Sequence, residues 1–508
     1  MSTPEPLSDS NTAAGEVSPE RRLHPMSWLF VLIQQLRQFI LPLIVLFFMG
    51  RGDRNDLWGL VAICVLAVVS IWQYYTYRFR IGVDSLQIRS GLLERSLREI
   101  PFARIQNVAL RQTVLHRIFG VAEVRLESAG GIKPEAEMRV LTLADAMALE
   151  ALVRRRRGEA RAGTPVGHAD AHEDGEVLLR LSAGDIIRAG LISNRGMVVV
   201  GGAFAALAQL SRDLFSQIIE SWVRGLFGVV EDYGRGHETA AILLLIVLFL
   251  GLVRLFSIAL AFLQYHGFRL EEHGRRLTLE RGLLSRARTS TPRRRIQSWT
   301  LREGMLHRLF GRRSLEVSTA VLENGSDGQP RSLREIAPVA TPERCDALIR
   351  HLAPQVQWPP AQWQPLHRST FWRLAVPQWL LTLAVAVPVF LHFGVWGAVL
   401  VCLWLPWAGY IAWQHARHAG YSVDARMAAV RGGWWTRTWR FAEIGKLQAI
   451  RFSQSPLDRA LGTATLLLDT AGGNAIGDPL RLRFVPVAEA RALDARLAGE
   501  IARSTMRW

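Results

Sequence analysis

HGFRLEEHGRRLTLERGLLSR, His266–Arg286, decides the fold, because the chain carries it in three versions. Its counterparts are YRFRIGVDSLQIRSGLLER, Tyr77–Arg95, and AGYSVDARMAAVRGGWWTR, Ala419–Arg437. Aligned on Gly91, Gly282 and Gly433, the three blocks keep step without a gap. Fifteen residues on, each has a glutamine (Gln106, Gln297, Gln448) behind an aliphatic residue (Ile105, Ile296, Leu447). Leucine follows at twenty-four (Leu115, Leu306, Leu457), arginine at twenty-six (Arg117, Arg308, Arg459) and glycine at twenty-nine (Gly120, Gly311, Gly462). Constant spacing across three blocks marks an internal repeat, each copy one structural unit.

Inside each block the apolar period is that of strands. Phe79, Ile81 and Val83 alternate, then Leu86 and Ile88; Phe268 with Leu270 and Leu277 with Leu279 repeat the pattern. Ser90-Gly91 and Arg281-Gly282 read as turns in which glycine supplies a positive φ. Gln112–Phe119 and Gly304–Phe310 read as one short helical turn ended by glycine. Strands follow at Ala122–Ser128, Leu315–Thr319 and Met138–Leu141. Closing helices are expected at Ala144–Arg157, Thr341–His351 and Val487–Arg503, with Pro342 and Pro486 near two of their starts, where a missing N–H is harmless.

Outward from the blocks, the chain is greasy. Six apolar stretches come in pairs: Val31–Gly50 with Leu57–Thr76, Gly196–Ser216 with Ala240–Phe262, and Leu374–Phe393 with Val395–Trp413. Each is about 20 residues, enough to span a hydrocarbon core of ~30 Å. Arg254 ends the run AILLLIVLFLGLV and must snorkel or face other helices. Gln34, Gln35, Arg37 and Gln38 interrupt the first stretch, so Trp28–Gln38 could lie in the interface instead. Similar polar lead-ins, Asp185–Arg195 and His367–Arg373, precede the third and fifth.

The expected architecture is therefore an α+β membrane protein, a transmembrane hairpin followed by a small antiparallel β domain with a C-terminal helix, three times over. Residues 1–22 form a disordered tail, 23–76 hairpin 1, 77–157 domain 1 and 158–180 a linker. Residues 181–263 form hairpin 2, 264–353 domain 2, 354–373 a linker and interfacial segment, 374–413 hairpin 3 and 414–508 domain 3. Length agrees, since 508 residues suggest about three domains at ~150 each. The composition, 49% hydrophobic with a net charge of +17, excludes a disordered chain, a disulfide scaffold and a collagen-like fibre. Cys64, Cys345 and Cys402 have no disulfide or metal spacing.

The hairpin–domain unit, with RIQNV at Arg104–Val108, RIQSW at Arg295–Trp299, HRIFG at His116–Gly120 and HRLFG at His307–Gly311, resembles the bacterial pleckstrin-homology (PH) membrane proteins of the YdbT type. The resemblance covers nearly the whole chain after residue 22. It implies a PH-like fold, a bent antiparallel sheet with a closing helix, and a smaller single-repeat PH-domain membrane protein as a possible partner. The third copy departs, with KLQAI for RIQNV and LDRALG for LHRIFG.

Two spans separate consecutive domains, so all three domains and both termini fall on one side. Tyr77–Arg157 holds 14 Arg and Lys133 against 9 acids, and Gln264–Ala353 holds 17 Arg against 10. The loop Gln217–Thr239 has 2 Arg against 4 acids. The positive-inside rule then puts the domains in the cytoplasm, on a bacterial inner membrane. Tryptophan clusters agree, with 11 of 17 between Trp358 and Trp439.

Arg154, Arg155, Arg156, Arg157, Arg293, Arg294, Arg295, Arg312 and Arg313 are the densest basic clusters. They are candidate contacts for anionic headgroups or a partner, at ~1 kcal/mol per residue near the surface, or equally topology determinants on solvated faces. Nucleic acid is not expected, because no stacking or recognition-helix motif is present.

Chemistry is hard to find. His116 and His307 read as packing residues, since no acid or nucleophile keeps a fixed offset from both. His168 and His172, with Asp170 and Asp174, lie in a Gly/Pro/Ala linker, which favours a coil over a metal site. His415 and His418 end the sixth span, and TAGGNAIGD, Thr470–Asp478, reads as a hairpin loop. No catalytic, cofactor or metal residue is expected. The expected function is a non-enzymatic binding or scaffolding surface for membrane lipid, a membrane partner or a second copy. The alternative is a transport or antimicrobial-resistance protein with regulatory domains, against which the scarcity of acids in the spans weighs.

Overall fold

The computed structural model describes residues 21–22, 24–33, parts of 65–102, 105–128, 136–162, 175–210, 221, 238–319, 334–470 and 480–503. The chain divides into two compact units, 1–177 with 270–292 and 321–332, and 178–269 with 293–320 and 333–508.

In the first unit, β1 (Arg21–Arg22), β2 (Arg78–Ile81), β3 (Ser85–Ser90) and β4 (Ser96–Pro101) form one antiparallel sheet in that order. Then come β5 (Ile105–Gln112), the short helix α1 (Val114–Ile118), β6 (Val121–Ser128), β7 (Ala136–Thr142) and the closing helix α2 (Leu143–Ala162). Alternation puts Leu86, Ile100, Ile105, Leu126, Met138 and Leu149 into one core, each at most 2% exposed. Each such side chain contributes roughly 1.5–3 kcal/mol on burial. The same unit holds β10 (Arg276–Arg281) and β11 (Arg286–Pro292) of the next copy. β11 pairs with β5, so a single sheet runs across two copies.

The chain between these elements contributes β8 (Glu176–Arg180), α3 (Ala183–Ile192), α4 (Arg195–Leu210), α5 (Glu238–Tyr265) and β9 (Arg269–His273). The second unit continues with β12 (Ile296–Glu303), α6 (Met305–Leu309), β13 (Arg313–Thr319), β14 (Glu335–Ala340) and α7 (Pro342–Leu352). It ends with β15 (Gln364–Pro365), α8 (Thr370–Phe393), α9 (Val395–His418), β16 (Gly420–Val423), β17 (Met427–Gly432), β18 (Arg437–Glu443), β19 (Leu447–Ser453), α10 (Pro456–Ala460), β20 (Thr463–Thr470), β21 (Leu480–Pro486) and α11 (Val487–Arg503). Its sheet order β14-β13-β12-β18-β17-β16-β15 again joins two copies, through β12 and β18. Trp299 and Phe441 stack across that joint at 5.9 Å.

Among the described residues, three helices are long and apolar enough to cross a membrane, Ile246–Tyr265, Thr370–Phe393 and Val395–His418. The last two form a hairpin with Gly394 between them at φ +57. Of the expected spans Val31–Gly50 and Leu57–Thr76, the described residues are 31–33 and eight between 65 and 76, all of them helical; the rest lies outside the described residues. Of Gly196–Ser216, the described part is helical as far as Leu210.

Two boundaries differ from expectation. Arg21–Arg22 is a strand on β2, not tail, and Gln364–Pro365 pairs with β16, not linker. In both cases one strand precedes the apolar stretch and its sheet partner follows it, and a two-residue strand carries no period to read. The lead-in Asp185–Arg195 includes most of a separate helix, α3, closed by a Ser182–Asp185 capping box. In contrast His367–Arg373 runs straight into α8. Arg254 faces another helix end: Nη1 donates to the Leu191 and Ser193 carbonyls at 3.0 and 3.2 Å, where α3 stops.

Candidate membrane-facing site

The short helices α1, α6 and α10 follow the strand that carries the repeated glutamine in every copy and end on Gly120, Gly311 and Gly462, at φ +64, +57 and +64. That left-handed residue reverses the chain into the next strand at little cost for glycine alone. Their N-caps are Thr113, Gly304 and Ser455. Each helix exposes apolar side chains, with Ile118 at 69%, Leu309 at 75% and Leu457 at 54%.

Beside the first and third lies the lead-in of the copy's own membrane hairpin. The Phe30 ring packs against His116 at 4.2 Å, tilted by 45°, and meets Phe119 edge-on at 6.3 Å. Arg373 donates to Asp458 at 2.5 Å and to Thr463 Oγ1 at 2.8 Å, its guanidinium 4.2 Å above Phe484. Phe30 and Arg373 are equivalent, seven residues after Leu23 and Leu366, and His116 and Asp458 are equivalent too. An aromatic pair in one copy is an ion pair in the other, which explains why LDRALG replaces LHRIFG. In the second copy Asp185 of α3 pairs with Arg312, next to Gly311, at 3.2 Å.

The electrostatics suit a fixed joint. Burial acts to raise the Asp458 carboxyl, but bonds from Arg373, Ser455 and Thr463 outweigh it and hold it well below the usual range. Burial likewise opposes ionisation of Asp185, and Ser182, Arg312 and Arg188 overcome it. Burial pushes the His307 imidazole down, against a smaller opposing pull from Glu303. His116 is buried and its Nδ1 shares a hydrogen bond with Thr113 Oγ1 at 2.6 Å. This is the packing role expected of it.

Most of the arginine clusters serve the fold. Arg293 donates to the His351 carbonyl at 2.6 Å and to that of Leu352, neutralising the C-terminal end of α7. Arg295 is 6% exposed. Arg312 holds Asp185, while Arg313 holds Glu303 at 2.8 Å and stacks 4.9 Å from the Trp439 ring. The Arg294 carbonyl accepts from Lys446. Arg154–Arg157 lie on α2, and their side chains are outside the described residues. A basic surface does exist where the charge clusters did not point. Arg78 and Arg80 of β2, Gln87 and Arg89 of β3, and Ser96 and Leu97 of β4 line an open groove. Arg78 sits directly opposite Arg89. Its signal was alternation, every second residue of two neighbouring strands, rather than a run.

The repeated glutamine has a structural meaning. Strand register slips at Ile105/Asn107, Ile296/Ser298 and Leu447/Ala449, so Gln106, Gln297 and Gln448 each sit in a β-bulge. His168, His172 and most of TAGGNAIGD lie outside the described residues.

Three matches to the bacterial PH domain cover residues 31–157, 221–354 and 379–501. The chain belongs to the bacterial PH domain family. It is also 23% identical over 460 residues, 86% of this chain and 90% of the relative, to the UPF0699 transmembrane protein YdbT of Bacillus subtilis (strain 168). No solved structure matches it. The second and third PH matches each take in an apolar helix long enough to cross a membrane as well as strands.

Proposed function

We propose that this chain is a multi-pass inner-membrane protein whose three PH-like domains form a cytoplasmic, non-enzymatic binding surface for anionic lipid headgroups. One observation carries the reading: the groove on the outer face of domain 1 sets Arg78, Arg80 and Arg89 on adjacent strands. Guanidiniums so placed suit a phosphate, which accepts from several donors at once. The short helices support it. Tied to the hairpin lead-ins, they hold apolar side chains such as Ile118 at the membrane end of the domain, where insertion among headgroups is favourable. The arginine excess over both measured domains supports the cytoplasmic side.

The test uses the full chain in nanodiscs with native mass spectrometry of retained lipid. Phosphatidylglycerol should be retained several-fold over phosphatidylcholine, less so at high salt, and the triple variant Arg78→Gln, Arg80→Gln, Arg89→Gln should lose the preference. Equal retention of both lipids by the wild type would overturn the reading.

A further inference from the structure

The two inter-copy joints share one register, and the two ends of the array are the unused halves of the same joint. In the first, Arg286, Ala287, Arg288 and Thr289 oppose Gln112, Arg111, Leu110 and Ala109. In the second, Arg437, Thr438, Trp439 and Arg440 oppose Glu303, Arg302, Leu301 and Thr300. Counted from the anchor glycines, the paired positions are identical. Among the described residues, β4 of the first copy and β19 of the third end their sheets with no strand beyond them.

The side chains at these ends are those a joint would cover. Val108 and Leu110 on β5 are 7% and 6% exposed, and Trp299 and Leu301 on β12 are 2% and 0%. Their equivalents on β19, Ile450 and Phe452, stay half-exposed. Trp439, half-buried in the formed joint, is replaced at the free edge by Leu97, which is 70% exposed. A side-chain contact repeats alongside. Arg117 donates to the Leu283 carbonyl at 3.1 Å and Arg308 to that of Trp435 at 3.2 Å, each reaching the next copy's first turn. Arg459 is the third member, and its side chain has no partner among the described residues.

We propose that β19 of one chain pairs antiparallel with β4 of a second copy of the same chain, in the register of the internal joints. Phe452 then lies opposite Leu97, Ser453 opposite Ser96 and Arg451 opposite Arg98. The edges present unpaired backbone groups, which another strand satisfies. Because the contact is head-to-tail, it generates a ring if the rotation closes and a filament if it does not. Arg451 opposite Arg98 sets like charges together, so the joint tightens as salt screens them. Ser96 and Leu97 also line the groove, so the joint adjoins the proposed lipid site along β4. The arginines replaced in the lipid test lie on β2 and β3, and retained lipid and strand cross-linking are read separately, so either reading can fail while the other stands.

The experiment uses full-length chains with Cys64, Cys345 and Cys402 replaced by alanine, one carrying Leu97→Cys and a differently tagged one Phe452→Cys. Leu97 is 70% exposed and Phe452 partly exposed, and opposed strand residues are close enough for a disulfide. Co-expressed in one membrane and oxidised, they should give a mixed dimer, and the double variant a ladder. Replacing Phe452→Cys by Arg451→Cys, on the other face, should lower the yield at least tenfold. Absence of the mixed dimer, equal yield from both registers, or cross-linking only to a different polypeptide would overturn the proposal. Wild type in mild detergent supplies a check free of cysteine variants: light scattering should show dimers or larger, which Leu97→Lys converts to monomers. A wild type that is monomeric at every salt concentration would equally overturn it.

Discussion

At the scale of the residue, Asp458 shows how a departure from the repeat carries information. The third copy lacks the histidine of HRIFG, and Asp458 in its place grips Arg373, the first charged residue of the hairpin, with both side chains under a tenth exposed. Removing one member of such a buried pair typically costs about 3–5 kcal/mol. Asp458→Asn should therefore lower the thermal stability of the full chain at pH 7, read by tryptophan fluorescence. The folded-state pKa lies below the unfolded value, so the pair's stabilisation is complete above about pH 4 and is lost as pH falls further. Wild type should lose this contribution on acidification below about pH 4 while the variant has none to lose. A variant as stable as wild type at pH 7 would show the pair is inert. The sequence showed that a residue had changed; its partner, 85 residues upstream, has no fixed offset to look for.

Among the elements, the turn and the short helix were legible and the bulge was not. Gly282 and Gly433 have φ of +111 and +84, and a Cβ on either would sit 2.0 Å from the carbonyl oxygen of Ser285 or Thr436. Glycine is the one residue that fits both demands. Gly433→Ala should destabilise domain 3 by about 1–3 kcal/mol or more, whereas Gly432→Ala, with nothing within 4 Å, should cost far less. Limited proteolysis of the two variants side by side checks this, and equal protection would refute it. Strands of five to eight residues and their closing helices follow from period alone. A bulge leaves no such trace, because it shows only where the partner strand's count falls one short.

Across the whole molecule, membrane topology and sheet continuity come from different physics. Cysteine accessibility from outside intact cells should find Leu97→Cys unlabelled and a cysteine in the loop Gln217–Thr239 labelled, in a background without the native cysteines. The reverse pattern would invert the orientation that the arginine bias predicts.

The sequence by itself determined the repeat, the strand and helix alternation within it, the paired apolar stretches and the PH-like unit. Those features depend on neighbours a few residues apart, so spacing reveals them. Only the tertiary structure decided that consecutive copies share sheets, that Arg293, Arg312 and Arg313 serve the fold, and that a basic groove lies on alternate residues of β2 and β3. Strand edges pair through backbone groups that every residue carries, so β5 gives no sign that its partner lies 174 residues on, where Arg111 meets Ser285. Nor does a guanidinium's charge say whether it meets water, a carboxylate or a helix end. That depends on which element the fold brings beside it.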